Sequence, residues 1–272
     1  MKNKTNNIIE VDKESDRIVA YVVNQPREAL DELNELGENE RPSKIFVYLK
    51  KQHCDFFTEA NYNVEGTMSC FFDGEDAVLV SKFLSTDRSR SNSIEKNNET
   101  LELVNRDTKS FEDLIKPADV KIERLSEDDL VGLTDLYKRV FDQYPTNIFD
   151  VDYLKEVIAA KKYIFVVAKM EGKVVAAASA MLTPYGGAEI TDCATDPSYR
   201  GKQLLASIIN ELEKVLISQG VYMFYSITRA ISVGMNMTVK RLGYKFEGTL
   251  IKNCVISSGL EDMNVWTKSV IK

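Results

Sequence analysis

The run Ala188-Glu189-Ile190-Thr191-Asp192-Cys193-Ala194-Thr195-Asp196-Pro197-Ser198-Tyr199-Arg200-Gly201-Lys202-Gln203-Leu204-Leu205 passes from a strand, through a basic turn, into a helix. Asp196 to Lys202 breaks the strand, and Leu204, Leu205, Ile208, Ile209, Leu212, Val215 and Leu216 then recur at helical spacing from about Gln203 to Ser218. The first turn of a helix carries unpaired backbone N–H groups and a partial positive charge, and Arg200 and Lys202 place full charges beside it. Such a corner can hold a pyrophosphate. The same spacing also fits an ordinary helix start with solvated basic residues, so the corner alone leaves both readings open.

Outward from this corner, the second part of the chain reads as a mixed α/β unit. Val120 to Leu125 is expected as a strand, Ser126 and Asp129 cap a helix bearing Leu130, Leu133, Leu136, Tyr137 and Val140, and a second helix follows near Tyr153 to Ala160. Strands at Tyr163 to Met170, Val174 to Met181 and Glu189 to Ala194 form a meander with a turn at Glu171-Gly172. A strand at Tyr222 to Ile227, a helix at Val233 to Leu242 and strands at Tyr244 to Leu250 and Asp262 to Lys268 complete it.

The beginning of the chain forms another α/β lobe, with apolar runs at Ile18 to Val23, Lys44 to Leu49, Val64 to Phe72 and Asp76 to Leu84 and helical patterns at Ala29 to Leu36 and Phe56 to Ala60. The polar stretch between the lobes is expected as an exposed linker, which divides the chain into 1–85, a linker at 86–117, and 118–272. Asn61-Tyr62-Asn63-Val64-Glu65-Gly66-Thr67 echoes Gly243-Tyr244-Lys245-Phe246-Glu247-Gly248-Thr249, and each precedes a strand that begins at an acidic pair, Glu75-Asp76 or Glu261-Asp262. The echo predicts a common architecture. In the first lobe Pro26-Arg27 leads directly into the helix with no counterpart of Arg200-Gly201-Lys202, so the chemistry is expected in the second.

With 44% hydrophobic and 28% charged residues the chain has the makeup of a folded globular protein. No apolar run approaches the roughly 20 residues that span a bilayer. A net charge of -7 argues against nucleic acid and anionic membrane as partners. His53 is the one histidine, so a multi-histidine metal site is excluded and any histidine-dependent hydrolase would rest on that residue alone. Cys54, Cys70, Cys193 and Cys254 are scattered and are read as free thiols. Met1 to Val11 lack the apolar stretch of a secretory signal, and a cytoplasmic location is expected.

The run from Ala188 to Leu205 resembles the acetyl-CoA-binding core of the GNAT superfamily of N-acetyltransferases, and the element order from about Val120 onward is similar to that family's. More narrowly, Thr228-Arg229-Ala230, Gly234-Met235-Asn236, Leu242-Gly243-Tyr244, Glu247-Gly248-Thr249-Leu250-Ile251, Glu261-Asp262-Met263-Asn264-Val265-Trp266 and, in the first lobe, Gly74-Glu75-Asp76-Ala77 resemble the β-lysine N-acetyltransferases. The resemblance implies an α/β GNAT acyl-CoA N-acyltransferase fold, a mixed, mostly antiparallel sheet flanked by helices, with a degenerate, similarly folded N-terminal lobe. It implies acetyl-CoA as cosubstrate, no metal, and direct transfer of acetyl to the ε-amino group of β-lysine (3,6-diaminohexanoate), giving a compatible solute. It also implies a functional link to lysine 2,3-aminomutase, which makes β-lysine from lysine. A small-molecule amine is then the partner, with no nucleic acid and no membrane, and a homodimer stays open.

Onto this chain the resemblance carries acetyl-CoA contacts at Ala194, Thr195, Arg200, Gly201, Lys202, Gln203, Leu204, Leu205 and Asn236. Two features depart from the family pattern. Gln203 and Leu205 stand where its phosphate loop usually has small residues, and Val239 stands where many members carry a tyrosine general acid. A lysine-type ammonium, with a reference pKa of about 10.4, must lose a proton before it attacks a thioester. Glu189 matches the catalytic glutamate of the histone-acetylating branch, and the backbone N–H of Cys193 matches a donor to the acetyl carbonyl. Period-two alternation places Glu189, Thr191 and Cys193 on one face and Ile190, Asp192 and Ala194 on the other. Asp192 binds a substrate ammonium or orients a neighbour, and Arg229 holds a substrate carboxylate or closes a structural ion pair. Two alternatives compete with the β-lysine reading: the same chemistry on a polyamine, free lysine or protein lysine, and an acetyl-CoA-binding module without turnover.

Overall fold

The computed structural model describes residues 7–114, 119–257 and 259–270; the expected boundary at 117/118 and the residues Met1–Asn6 lie outside them. The chain begins with β1 (Ile8–Asp12), β2 (Arg17–Val22), α1 (Pro26–Glu40), β3 (Lys44–Lys50), α2 (Cys54–Glu59), β4 (Asn63–Phe72) and β5 (Glu75–Phe83). It continues through α3 (Ile94–Arg106), β6 (Lys121–Arg124), α4 (Leu130–Val140), α5 (Val151–Ala159), β7 (Tyr163–Met170), β8 (Lys173–Leu182) and β9 (Gly187–Thr195). It closes with α6 (Leu204–Ser218), β10 (Met223–Arg229), α7 (Val233–Arg241), β11 (Lys245–Ile256) and β12 (Gly259–Ser269).

Local chemistry sets several of these boundaries. Ser126 donates both its N–H and its hydroxyl to the Asp129 carboxylate and so stops the chain ahead of α4. The β7–β8 hairpin turns at Glu171 (φ +47) and Gly172 (φ +77), two successive left-handed residues of the kind that a tight hairpin requires. α6 buries Leu204, Ile208, Ile209, Leu212 and Leu216 against one face of the sheet, as its apolar spacing predicts.

The twelve strands of the described residues form one sheet, ordered β1-β2-β3-β5-β4-β11-β12-β10-β9-β8-β7-β6. The two lobes of the sequence therefore share a sheet, joined where β4 and β11 run antiparallel with Gly66 opposite Gly248. The order is mirrored about this seam: β4-β5-β3-β2-β1 on one side corresponds to β11-β12-β10-β9-β8 on the other, with α1 matching α6 and α2 matching α7. The seam tolerates no side chain. A Cβ on Gly248 would lie 2.4 Å from the Glu65 carbonyl oxygen, and one on Gly66 would lie 2.8 Å from the Glu247 carbonyl oxygen. The echoed glutamates bind across it in matching ways. Glu65 accepts from Ser81, from the Ile251 N–H and from the buried Lys44, while Glu247 accepts from Ser69, Thr67 and Thr267. The bulges match too, since the Cys70 N–H donates to Asp76 and the Lys252 N–H donates to Asp262.

Two expectations need correcting. The segment read as an exposed linker contains α3, which buries Asn97, Thr100 and Val104 and packs on α7. Its polarity misled because Asn97 and Ser91 are held by the Asp262 carboxylate rather than by water. The strand β1 was not foreseen either; its alternation is masked by Glu10 and Asp12, and it pairs with β2 along Ile8↔Tyr21 to Asp12↔Arg17.

The sheet's two faces have different cores. α6 and α7 cover one face at Ile190, Phe224 and Trp266, and α1 and α2 cover the same face in the first lobe at Val47 and Val80. The opposite face carries Phe46, Tyr48, Phe71 and Leu79 from the first lobe together with Tyr185, Tyr225, Met263 and Val265 from the second, in one continuous cluster. Among the described residues no helix is long and apolar enough to cross a membrane.

Candidate active site

The site is made where the sheet comes apart. β9 and β10 run parallel and pair at Gly187↔Met223, Ala188↔Phe224 and Glu189↔Tyr225, and beyond Glu189 they have no further register partners. Past Glu189 the β9 backbone therefore has no ladder partner on β10; three of its groups are taken by side chains, the Ile190 carbonyl by Ser226 Oγ at 2.8 Å, the Thr191 carbonyl by Cys193 Sγ and the Asp192 N–H by the Tyr144 hydroxyl. A cleft of about 610 Å³ follows the opening, lined by Thr191, Asp192, Cys193 and Thr195 of β9, by Ser226 to Arg229 of β10, and by Ser232 to Met235 ahead of and within α7. The run Tyr199 to Ala206 closes one end of it.

At that end, Gly201 (φ +78) and Gln203 (φ +58) turn the chain into α6, whose start has no side-chain cap and no acidic residue in its first turn. Its first N–H groups therefore point at the cleft with the positive end of the helix dipole behind them, and the exposed Arg200 and Lys202 flank them. An anionic group such as phosphate suits this corner, and the parted strands leave a slot beside the β9 edge that an extended chain can enter.

The comparisons agree with this geometry. The Acetyltransferase (GNAT) family matches residues 130–243. The chain is 32% identical over 243 residues to the N-acetyltransferase YodP of Bacillus subtilis (strain 168), covering 89% of this chain and 88% of that one. It belongs to the GNAT acetyltransferase family. It is also 30% identical over 257 residues to a β-lysine N(6)-acetyltransferase of Methanosarcina mazei, covering 87% of this chain and 94% of that one. In fold it is similar to yncA, a putative acetyltransferase from Salmonella typhimurium solved with its cofactor acetyl-CoA, at a TM-score of 0.50 and 14% identity over 57% of this chain and 96% of that one.

This GNAT enzyme is an acetyl-CoA-dependent N-acetyltransferase, and most residues expected to meet acetyl-CoA line the cleft: Thr195, Arg200, Gly201, Lys202, Gln203, Leu204 and Leu205. Two do not. Ala194 is buried in the core with Phe165 and Val167. The Asn236 side chain is fully buried, its Oδ1 accepting from Thr228, Asn264 and Trp266 and its Nδ2 donating to the Arg229 and Ser232 carbonyls. It ties the start of α7 to β10 and β12 and has no capacity left for a ligand. Val239, at the position of the usual tyrosine acid, is core.

The expected alternation of β9 also fails, for a local reason. Asp192 adopts φ +51 in a bulge against β8, where the register skips between Thr191↔Ser179 and Ala194↔Ala177. The bulge turns Asp192 onto the Glu189 and Thr191 face, where its carboxylate accepts from Ser179 Oγ at 2.5 Å and its N–H donates to the Tyr144 hydroxyl at 3.1 Å. Cys193 turns the other way and packs beside Ile190 on the α6 face. The two faces of the opening are therefore chemically distinct: thiol and phosphate corner on one, two carboxylates on the other.

Glu189 lies at the last paired position before the strands part, and it sits just behind the cleft rather than in its lining. Burial pushes its carboxyl up to about 7, with the nearby Asp192 adding to the rise, while the Tyr225 hydroxyl, turned toward it without closing to a full hydrogen bond, and Arg17 oppose it. Asp192 is raised as well, by burial, against the hydrogen bonds from Ser179 and Tyr144. Burial and the two carboxylates push the Cys193 thiol far up, so it stays protonated and is no nucleophile.

Arg229 lines the cleft, but its Nε and Nη2 both donate to Glu261 at 2.7 Å, closing the structural ion pair. The first lobe has the same pair at the same place, Lys50 to Glu75 at 3.0 Å, joining the end of β3 to the start of β5. Tyr144 and Thr191 are site residues that sequence reasoning missed; Tyr144 sits in the loop after α4, and no periodicity marks it.

Proposed function

We propose that this enzyme transfers the acetyl group of acetyl-CoA to the ε-amino group of β-lysine in the cytoplasm, downstream of lysine 2,3-aminomutase, with a compatible solute as product. The reading of the substrate is supported by the β-lysine N(6)-acetyltransferase relatives, matched over more than nine-tenths of their length. Residues 118–272 form the catalytic unit, 86–117 the connection, and 1–85 a similarly folded lobe without a phosphate corner.

The observation that carries the chemistry is the place of Glu189, at the last β9–β10 pair before the strands part and on the face of the opening away from α6, where burial pushes its carboxyl up to about 7. It takes the proton from the substrate ammonium. The two groups differ by about 3 pKa units, on the order of 4 to 5 kcal/mol uphill, a cost that enters the barrier of the transfer step. The free amine attacks the acetyl carbonyl to form the C–N bond, the Cys193 backbone N–H donates to the developing oxyanion, the C–S bond breaks, and the CoA thiolate that leaves takes up the second proton, shed by the new amide nitrogen, while Glu189 returns the first to solvent. Asp192 faces the same side and holds the substrate's second ammonium.

Steady-state acetyl-CoA turnover with β-lysine and α-lysine side by side tests this. Moving one amino group by one carbon misaligns a charged contact, so β-lysine is favoured tenfold or more in kcat/KM. Equal rates on a polyamine and β-lysine point to another acceptor, and acetyl-CoA binding without turnover of any amine overturns the catalytic reading.

A further inference from the structure

The face of the sheet that carries Glu189 is walled by the first lobe. The β4–β5 turn reaches over to the β8–β9 turn, where the Asp73 N–H donates to the Tyr185 carbonyl at 3.0 Å. Tyr21 of β2 lies 5.6 Å from the Tyr185 ring and stacks on Tyr48 of β3 at 4.5 Å. Tyr48 stacks on Phe71 at 5.2 Å, and Phe71 meets the edge of Tyr225, whose hydroxyl is turned toward Glu189, at 5.6 Å. Aromatic side chains from both lobes thus surround the carboxylate. The cleft borders this face, since Tyr144, Ile256 and Met263 belong to both.

One cation stands on this wall. Arg17 is two and four residues before Val19 and Tyr21 on β2 and shares their face. Its side chain is only 14% exposed, its Nε donates to Asp12 at 2.8 Å, and among the described residues its two terminal nitrogens make no hydrogen bond. Its charge reaches Glu189, lowering that carboxyl's pKa. Arg229 is differently placed, with its donors held by Glu261.

We propose that the first lobe forms the far wall of the acceptor pocket, with Arg17 as the partner of the acceptor's carboxylate and the half-buried Tyr21 ring, backed by the core residues Tyr48 and Phe71, as the surface beside its carbon chain. The proposal rests on the acetyl-transfer reading above and deepens it. A guanidinium with a free fork matches a carboxylate in two parallel hydrogen bonds. Glu189 and Asp192 face the ammonium groups, and the Tyr21 ring between the two ends suits a methylene chain that ends in a cation. The pocket so described takes an amino acid with a second, distant amine, and the lobe that lost its own cofactor corner sets specificity for its neighbour.

Kinetics of Arg17→Ala and Arg17→Lys in the full chain, at saturating acetyl-CoA, with β-lysine and with 1,5-diaminopentane, which lacks the carboxylate, test the proposal. Arg17→Ala is expected to raise KM for β-lysine at least tenfold more than KM for the diamine, with KM for acetyl-CoA unaltered. Arg17→Lys keeps the charge beside Asp12 but loses the fork, and is expected to show the same selective rise at reduced size. If both variants affect the two amines equally, or neither, Arg17 only anchors β1 to β2 and the proposal falls while the acetyl-transfer reading stands. A wild type that acetylates no carboxylate-bearing amine removes both.

Discussion

β2 and β3 stay hydrogen-bonded through six register positions, from Arg17↔Lys44 to Val22↔Leu49, whereas their counterparts β9 and β10 pair at three and then part. The two lobes otherwise share strand order, seam glycines, bulges and even the ion pair that closes the last strand. The following helices differ in the same sense. α1 begins at Pro26, which has no N–H to offer, and carries Glu28 in its first turn, so its dipole is already answered. α6 begins at Leu204 with free N–H groups, no first-turn acid, and Arg200 and Lys202 beside it. Both helices are entered through a glutamine in the left-handed region, Gln25 at φ +47 and Gln203 at φ +58, so that feature belongs to the architecture and not to the ligand. A fold becomes an acetyl-transfer site here by parting one pair of strands and leaving one helix start unanswered.

The largest test of this contrast is Glu189→Gln. Its counterpart by register is Val19, an apolar residue in a closed strand pair, so the first lobe has no carboxylate at the place of the proposed base. Turnover should fall by roughly 10²- to 10⁴-fold with acetyl-CoA affinity retained. In the wild type kcat/KM should rise with pH through about 7, where Glu189 loses its proton, and the variant should lack this inflection. A variant as fast as wild type at every pH would move the base elsewhere, to Asp192 first.

Arg200→Ala sharpens the second difference. Loss of one charge-assisted contact at the helix start should weaken CoA binding about ten- to hundredfold, or roughly 1.5 to 3 kcal/mol, by calorimetry. Arg27→Ala, at the matching helix start of the first lobe, should leave CoA binding unaltered.

The seam gives a smaller effect, on stability alone. Gly248 adopts φ +153 with the Glu65 carbonyl against it, so Gly248→Ala should cost about 1 to 3 kcal/mol and lower Tm by several degrees. An unchanged Tm would show that the lobes are not held together there.

A second effect on stability alone, seen only as a dependence on pH, follows from the raised Glu189 pKa. Between the usual 4.5 and about 7 the folded protein holds a proton that the unfolded chain has released. This stabilising contribution is complete below the lower value and is lost as pH rises through the higher one. The Tm of Glu189→Gln relative to wild type should therefore increase from pH 4.5 to pH 7 and level off above it; a gap independent of pH would place the carboxyl in water.

Much of this was legible in the sequence, because apolar spacing and turn residues encode local structure. α6, the β7–β8 hairpin and the Ser126 cap lie where pattern reading puts them, and the echo at Gly66 and Gly248 marks the two residues that face each other across the seam. The misses share one cause. Asp192, Asn236 and α3 depend on partners distant in sequence: Tyr144 and Ser179 for the first, Trp266 and Asn264 for the second, Asp262 for the third. Period-two alternation has no means to announce a bulge at Asp192, and that bulge decides which groups face which side of the opening.

Hydrogen exchange of the full chain with and without acetyl-CoA tests the central claim most directly. Protection should appear in residues 190–206 and 226–238, where the strands part and the α6 and α7 helices begin, and should be absent from 17–30, the matching strand and helix start of the first lobe. Equal protection at both places would mean that the first lobe binds the cosubstrate too, and would contradict the account.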